Sequence, residues 1–208
     1  VVDNILPRLC PDGPGPAVKR GKLLLPVDAR VFQVNSFDLS AATDRLPLFV
    51  QVQILAIIAD PVAALAWAFM LRRPWYYRGV PYRYAVGQPM GAYSSWAMLA
   101  LTHHCLVQIA AYRVGHTKWF PHYAVLGDDI VIADTAVGDS YLQLMTELGV
   151  EISLHKTIRS TTGLLEFAKR FHHRVMGDIS PVSPRLLALT VRKPWFSPIL
   201  ISQMVVRS

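Results

Sequence analysis

Tyr123 to Ala133, reading YAVLGDDIVIA, sets two short apolar runs of β type around the polar core Gly127-Asp128-Asp129. The pattern predicts strand, acidic turn, strand, because Gly127 permits the positive φ that a tight hairpin turn demands. Val31 to Leu39, VFQVNSFDL, has mixed β character and delivers Asp38 at its end, before the small residues Ser40 to Thr43 and then Asp44-Arg45. Leu46 to Leu71 is strongly apolar, and Ile54 to Leu71 alone is long enough to raise a transmembrane helix. Asp60-Pro61 interrupts that run with a charge and a helix breaker, which favours two helices buried in a globular core. Further along, Gly87 to Gly91 feeds a long apolar helix through Trp96, Leu99, Leu106 and Ile109. Val137 to Leu148 has helical spacing and stops at Gly149, Val150 to Ser153 reads as a short strand, and Leu164 to Phe171 reads as a strand or hairpin arm with Lys169 and Arg170 on its polar side. Beyond Ser180 the Pro-rich chain gives only weak helical hints, and internal repeats are absent.

Composition sharpens this outline without redirecting it. The 208 residues are 52% hydrophobic, ample for a core and incompatible with global disorder. The first 25 residues are rich in proline and glycine without usable periodicity, and the chain opens on Val, as expected of a fragment or truncated remnant; no secretory signal pattern is present, and targeting is unreadable from this end. The formal charge of +7 suits a polyanionic partner. Basic residues cluster at Lys19, Arg20 and Lys22, at Arg72 and Arg73, and from Lys169 through Arg174, which points to nucleic acid over a generic basic surface. Two cysteines, Cys10 and Cys105, are too few for a disulfide framework.

The candidate chemistry centres on Asp128 and Asp129. Exposed turns favour Asp and Gly for local reasons, but here apolar flanks hold two like charges together on a buried platform, where a divalent cation would relieve their repulsion. Asp38 admits two readings: a carboxylate aimed into a cleft, or a helix N-cap shared in type with Ser40, Asp44 then lying in a first turn. The glycine-bearing loop at Gly87 to Gly91, with Tyr93, Ser94 and Ser95 at the helix entry, could bring backbone close to a ligand or simply cap the helix. His103, His104 and Cys105 are consecutive on a helix and step by about 100° each, so they cannot all face one ion.

Taken in order, SFDLSAATDRLP, GQPMGAYSSW, LGDDIVI, GVEISLHKT and EFAKRF resemble palm motifs A to E of viral RNA-dependent RNA polymerases, and specifically the mitovirus and narnavirus branch with its mitovirus-like copies in plant genomes. The likeness covers residues 31 to 175. Two details depart from the widespread pattern: the second motif A aspartate lies six residues after the first, a spacing the mitovirus-like form shares, and Ser94 and Ser95 replace the usual Thr and Asn of motif B.

This resemblance implies an α+β polymerase palm, an antiparallel sheet packed on helices, with incomplete fingers and thumb. It divides the chain into a poorly structured segment 1–30 left from the fingers side, a palm over 31–175, and a partial thumb or C-terminal extension over 176–208. It implies RNA-templated nucleotidyl transfer to a 3′-hydroxyl with two Mg²⁺ or Mn²⁺ ions on Asp38, Asp128 and Asp129, and Lys156 protonating pyrophosphate as the motif D lysine. Asp44, Gly91, Ser94 and Ser95 would contact the nucleotide, and Lys169 and Arg170 the RNA. The implied partners are template, primer or nascent strand and ribonucleoside triphosphates, in mitochondria and without stable membrane insertion. The competing expectation is a non-catalytic remnant that keeps the fold and binds RNA; a basic motif F upstream of Asp38 is not recognisable.

Overall fold

The computed structural model describes residues 18–19, 22–23, 33–173 and 176–205. The expectation for segment 1–30 therefore falls almost entirely outside the described residues. Its only described part is the antiparallel pair β1 (Val18–Lys19) and β2 (Lys22–Leu23).

The organising element is a four-stranded sheet. β3 (Val34–Asp38) lies between β7 (Asp129–Ile132) and β8 (Ile158–Ser160), and β6 (Tyr123–Leu126) closes the far edge, giving the order β6-β7-β3-β8. Neighbouring strands pair antiparallel throughout. Side chains alternate across a strand, so each strand here contributes to two cores. Phe37, Ile130 and Ile132 face one side, where they pack with Leu106, Val107, Ala110, Val137, Tyr141 and Met145. Val34 and Val131 face the other, against Leu165 and Phe167.

The first side is covered by two helices, α4 (Ser95–Arg113) and α5 (Thr135–Glu147). Asp134 caps α5, its carboxylate accepting from the Val137 amide at 3.0 Å. The second side is covered by a hairpin of β9 (Leu164–Phe167) and β10 (Arg170–His173), extended by β11 (Gly177–Asp178). Its turn is Ala168-Lys169, both left-handed with φ of 53° and 61°, so the expected single arm from 164 to 171 is two strands, and Lys169 sits on the tip.

Between β3 and α4 the chain makes a short helix α1 (Ala42–Arg45), then α2 (Leu48–Ile58) and α3 (Pro61–Leu71), and a separate hairpin of β4 (Trp75–Tyr77) and β5 (Val80–Tyr82). Asp60 and Pro61 act as anticipated: the Asp60 carboxylate accepts from Val62 and Ala63 amides at 2.7 and 2.9 Å, and Pro61 opens α3 where its missing N–H is harmless. No described helix is long and apolar enough to cross a membrane. The two helices are not buried, however. Phe49, Ile57, Val62, Leu65, Phe69 and Met70 are exposed, because only Leu48, Ala68, Leu71 and a few partners form a small cluster between them.

Two further expectations change. Residues 150–153 do not form a strand; Ile152 makes one antiparallel bridge to Leu39, and the chain then enters a 3-10 turn at Leu154–Lys156. The tail holds two helices, α6 (Pro184–Arg192) and α7 (Ser197–Val205), with Ser183 accepting from the Leu186 amide and Pro184 in the first turn of α6. Pro184 starts α6 at a position where its missing N–H is harmless, so the weak helical hints of this stretch resolve into helices.

Candidate active site at the end of the central strands

Asp38 ends β3 and Asp129 begins β7, and the two are direct cross-strand partners. Directly opposed residues share a sheet face, so both carboxylates rise on the side of the β9–β10 hairpin. Asp128 occupies the two-residue turn between Leu126 and Asp129, and its carbonyl accepts from the Leu39 amide at 3.1 Å. Of the two turn residues Gly127 alone has positive φ, at 62°, the pattern of a II′ turn with glycine first.

Helix α4 fixes this turn from below. A Cβ on Gly127 would fall 2.4 Å from the Trp96 ring, so glycine is required for packing as well as for φ. Buried His103 bonds the Gly127 carbonyl through Nδ1 at 3.1 Å and the Tyr141 hydroxyl through Nε2 at 2.5 Å. Burial lowers the His103 pKa to about 4, the Gly127 bond opposing the shift and His104 adding to it. The ring is therefore neutral at ordinary pH: Nδ1–H donates to Gly127, and Nε2 accepts from Tyr141 on α5. Burial also pushes the Tyr141 hydroxyl well above its ordinary range, which keeps it a donor. His103 is thus a core histidine that holds the acidic turn, a role its place in an apolar helix could not disclose.

Lys156 reaches the same end of the sheet. Ser153 N–H donates to the Asp38 carbonyl at 2.9 Å, Ser40 N–H to the Glu151 carbonyl at 2.9 Å, and the Ser40 and Ser153 hydroxyls lie 2.8 Å apart. These ties deliver the 3-10 turn so that Lys156 Nζ meets Asp38 Oδ2 at 2.9 Å. The N-cap readings of Asp38 and Ser40 fall away: the residue ahead of α1 is Ala41, left-handed at φ 50° and without a side-chain cap, while Asp44 does sit in the first turn.

The electrostatics are those of crowded acids beside two lysines. Partial burial raises the Asp129 pKa, and Asp128, Asp38 and Glu166 raise it further, while Lys169 opposes them. Bonding to Asp38 raises the Lys156 pKa, with smaller contributions from the Asp128 and Asp129 charges. Glu166 was not singled out from sequence, since its approach to Asp129 depends on how the β9–β10 hairpin docks; the Glu166 amide donates to the Ser36 hydroxyl at 3.2 Å. Among the described residues no three His, Cys, Asp or Glu side chains are gathered closely enough to hold a metal as they stand. Lys156 is paired with Asp38. The donor chemistry nonetheless fits a hard divalent cation, because Asp38, Asp128 and Asp129 offer only oxygen ligands and a surplus of negative charge.

The remaining anticipated residues are less uniformly placed. Gly91 lies exposed in the loop before α4 with φ 89°. Ser94 accepts a bond from Trp67 Nε1 at 2.8 Å, and Ser95 is buried, so both hydroxyls are turned toward packing. The loop itself is docked on motif A: Gly87 and Gln88 amides donate to the Asp44 and Thr43 carbonyls at 3.0 and 2.9 Å, and a Cβ on Gly87 would meet the Thr43 carbonyl at 2.0 Å. Asp44 lines a cleft of about 440 Å³ with Arg45, Tyr82, Arg83 and Tyr84. Lys169 stands near Asp129, whereas Arg170 is held by Asp178, with Nε 3.6 Å from Oδ2.

A central antiparallel sheet with acids at one end, helices on one side and a hairpin on the other defines a polymerase palm. The fold is shared with the RNA-dependent RNA polymerase of a human picorbirnavirus in its insertion-loop deletion form, with TM-score 0.64 and 22% identity over 85% of this chain and 38% of that one. The chain belongs to the mitovirus RNA-dependent RNA polymerase family, whose profile matches residues 27–207. It is 51% identical over 143 residues to the RNA-directed RNA polymerase of Cryphonectria parasitica mitovirus 1, covering 69% of this chain and 18% of that protein. It is also 44% identical to an uncharacterised mitochondrial protein of Arabidopsis thaliana, covering 73% of this chain and 64% of that one. The chain thus spans less than two thirds of either relative.

Proposed function

We propose that this chain is the catalytic palm of an RNA-dependent RNA polymerase that joins ribonucleoside triphosphates to an RNA 3′-hydroxyl on an RNA template, in mitochondria. The observation that carries the reading is the cross-strand pairing of Asp38 with Asp129 beside the Asp128 turn, within a chain of this family.

Asp38, Asp128 and Asp129 are the residues that would hold two Mg²⁺ or Mn²⁺ ions. When bound, such ions lower the pKa of the attacking hydroxyl and neutralise the triphosphate and departing pyrophosphate. Asp129, whose pKa is raised by partial burial and by its acidic neighbours, would be kept ionised by a cation. Lys156 would act as general acid: its ammonium, held at this end of the sheet by Asp38, would give up a proton to the leaving pyrophosphate. Asp44 and Gly91 frame the ribose and base side of the nucleotide; Ser94 and Ser95 support that loop from within. Lys169, at the tip of the β9–β10 hairpin, neutralises phosphate on the RNA, and Arg170 braces the hairpin through Asp178. Localisation in mitochondria rests on the mitovirus relative and the mitochondrial Arabidopsis relative.

Primer extension tests the reading. This chain grafted in place of the matching segment of the mitovirus polymerase should extend an RNA primer with Mg²⁺, and Asp128→Asn should lower the rate by about 1,000-fold or more. Undiminished extension by the Asp128→Asn graft would refute the assignment. The 208-residue chain alone should show little or no extension, since most of the acceleration of phosphoryl transfer comes from positioning and electrostatics around the triphosphate.

A further inference from the structure

The β4–β5 hairpin has a composition and exposure that the catalytic centre does not explain. Its strands pair with no other described strand. Trp75 lies opposite Tyr82 and Tyr77 opposite Val80, so these four side chains share one face, with Tyr76 and Pro81 on the other. An isolated hairpin normally hides such a face. Here Trp75, Tyr76, Tyr77 and Tyr82 are 48, 70, 62 and 56% exposed.

The charge carried by the hairpin and its flanking sequence is of one sign. Between Asp60 and Asp128 the sequence contains no aspartate or glutamate, while Arg72, Arg73, Arg78 and Arg83 flank or interrupt the hairpin. Arg78 sits in the turn with φ 50°, its guanidinium 5.2 Å from the centre of the Tyr77 ring. Tyr82 and Arg83 continue from β5 into the cleft that also holds Asp44 and Arg45. Residues two apart on a strand face lie about 6.6 Å apart, enough for successive unstacked bases to meet separate rings.

We propose that this hairpin is a binding platform for single-stranded RNA, with bases stacked on Trp75, Tyr77 and Tyr82 and phosphates neutralised by Arg78 and Arg83. Flat rings accept any base, and guanidinium groups beside them accept the backbone. A protein partner or membrane would leave the four arginines in and beside the hairpin unexplained, whereas a polyanion uses them. The path runs from the hairpin through the Arg83–Arg45 cleft to the turn that follows β3, so the platform would feed a strand toward the Asp38 end of the sheet. This rests on RNA being the substrate, but the contact is separate from synthesis.

Fluorescence anisotropy of a labelled oligouridylate, titrated with the full chain in EDTA, reads the contact without any catalysis. Affinity should fall about tenfold for each ring removed in Trp75→Ala, Tyr77→Ala and Tyr82→Ala, and Tyr82→Phe should restore it. Arg78→Ala with Arg83→Ala should make the salt dependence shallower by about 1.4 in log–log slope. Melting curves identify any variant that fails to fold, and the Tyr82→Phe comparison stands independently of them. Binding is read in EDTA, where no synthesis occurs, so loss of synthesis and loss of this platform are separable. Aromatic variants that fold and bind RNA as tightly as the unaltered chain would overturn the proposal. So would variants that instead abolish self-association, which would make this face an interface between copies.

Discussion

Two hairpins of this molecule share a two-residue turn and differ in almost everything else. The β6–β7 hairpin turns at Gly127-Asp128 and is sealed between α4, α5 and the β9–β10 hairpin, whereas the β4–β5 hairpin turns at Arg78-Gly79 and is solvated on both faces. Local propensity is similar in the two: both have β-forming residues on either side of a glycine that needs positive φ. What separates them is what their neighbours supply. The first hairpin gains Trp96, His103 and Tyr141 around its turn, and so can hold like charges in fixed positions; the second keeps only its own cross-strand pairs.

Glycine substitution should expose this difference most strongly. Gly127→Ala combines left-handed strain with overlap of the Trp96 ring and should cost about 2–5 kcal/mol, read by denaturant unfolding. Gly79→Ala, at φ 78° with nothing within 4 Å of the added carbon, should cost only about 1 kcal/mol. Equal losses at the two positions would break the comparison.

Acid should act next, and only on the sealed hairpin. His103 is neutral and buried with a pKa of about 4 against 6.5 in the unfolded chain. The unfolded state therefore binds more protons between those values, and the stability present above pH 6.5 declines as pH falls toward 4. The full decline is about 3 kcal/mol. His103→Gln should flatten that part of the pH profile of the melting temperature while lowering the whole curve, and an unchanged profile would remove His103 from beneath the turn.

Asp129 has the opposite sign. Its raised pKa means the native state holds more protons just above the ordinary carboxylate value, so stability falls as pH rises through the folded pKa. Asp129→Asn should raise the melting temperature at pH 7 by about 2 °C, and Mg²⁺ should stabilise the unaltered chain more than the variant. A calorimetric scan with the reverse order would contradict the crowding of the acids.

Lys156→Met should have the smallest effect on stability, since Lys156 is well exposed and its pair with Asp38 is largely screened. In the grafted polymerase the same change should slow extension by about 100-fold if the ammonium donates its proton. Single-turnover rates across pH separate the two roles.

Much of this arrangement was readable in advance, and the failures share a cause. The acidic turn, the break at Asp60-Pro61 and the helix after Asp134 rest on local chemistry, which the sequence states directly. Placing Asp38 beside Asp129 needed the motif order as well, because no local pattern says which strands pair. The burial expected of α2 and α3 failed because apolar period shows which residues can be covered, not whether anything covers them. Glu166 and His103 escaped notice for the same reason: one nears Asp129 only through the docking of a hairpin, and the other meets Gly127 only through the packing of a helix. In α6 and α7 the helical hints were weak because a proline-rich stretch obscures periodicity, although Pro184 sits in the first turn of α6, where its missing N–H costs nothing.

The link from Gly127 through His103 to Tyr141 also bears on how this sequence can change over generations. Gly127, Trp96, His103 and Tyr141 answer to packing, and a copy released from any duty to synthesise RNA would still need them in order to fold. Asp38, Asp128 and Asp129 crowd like charges at one end of the sheet, a burden on the fold that only the proposed chemistry would maintain and that drift would readily discard. A lineage that has fallen silent should therefore lose its acids first and its buried histidine last. This chain retains both sets.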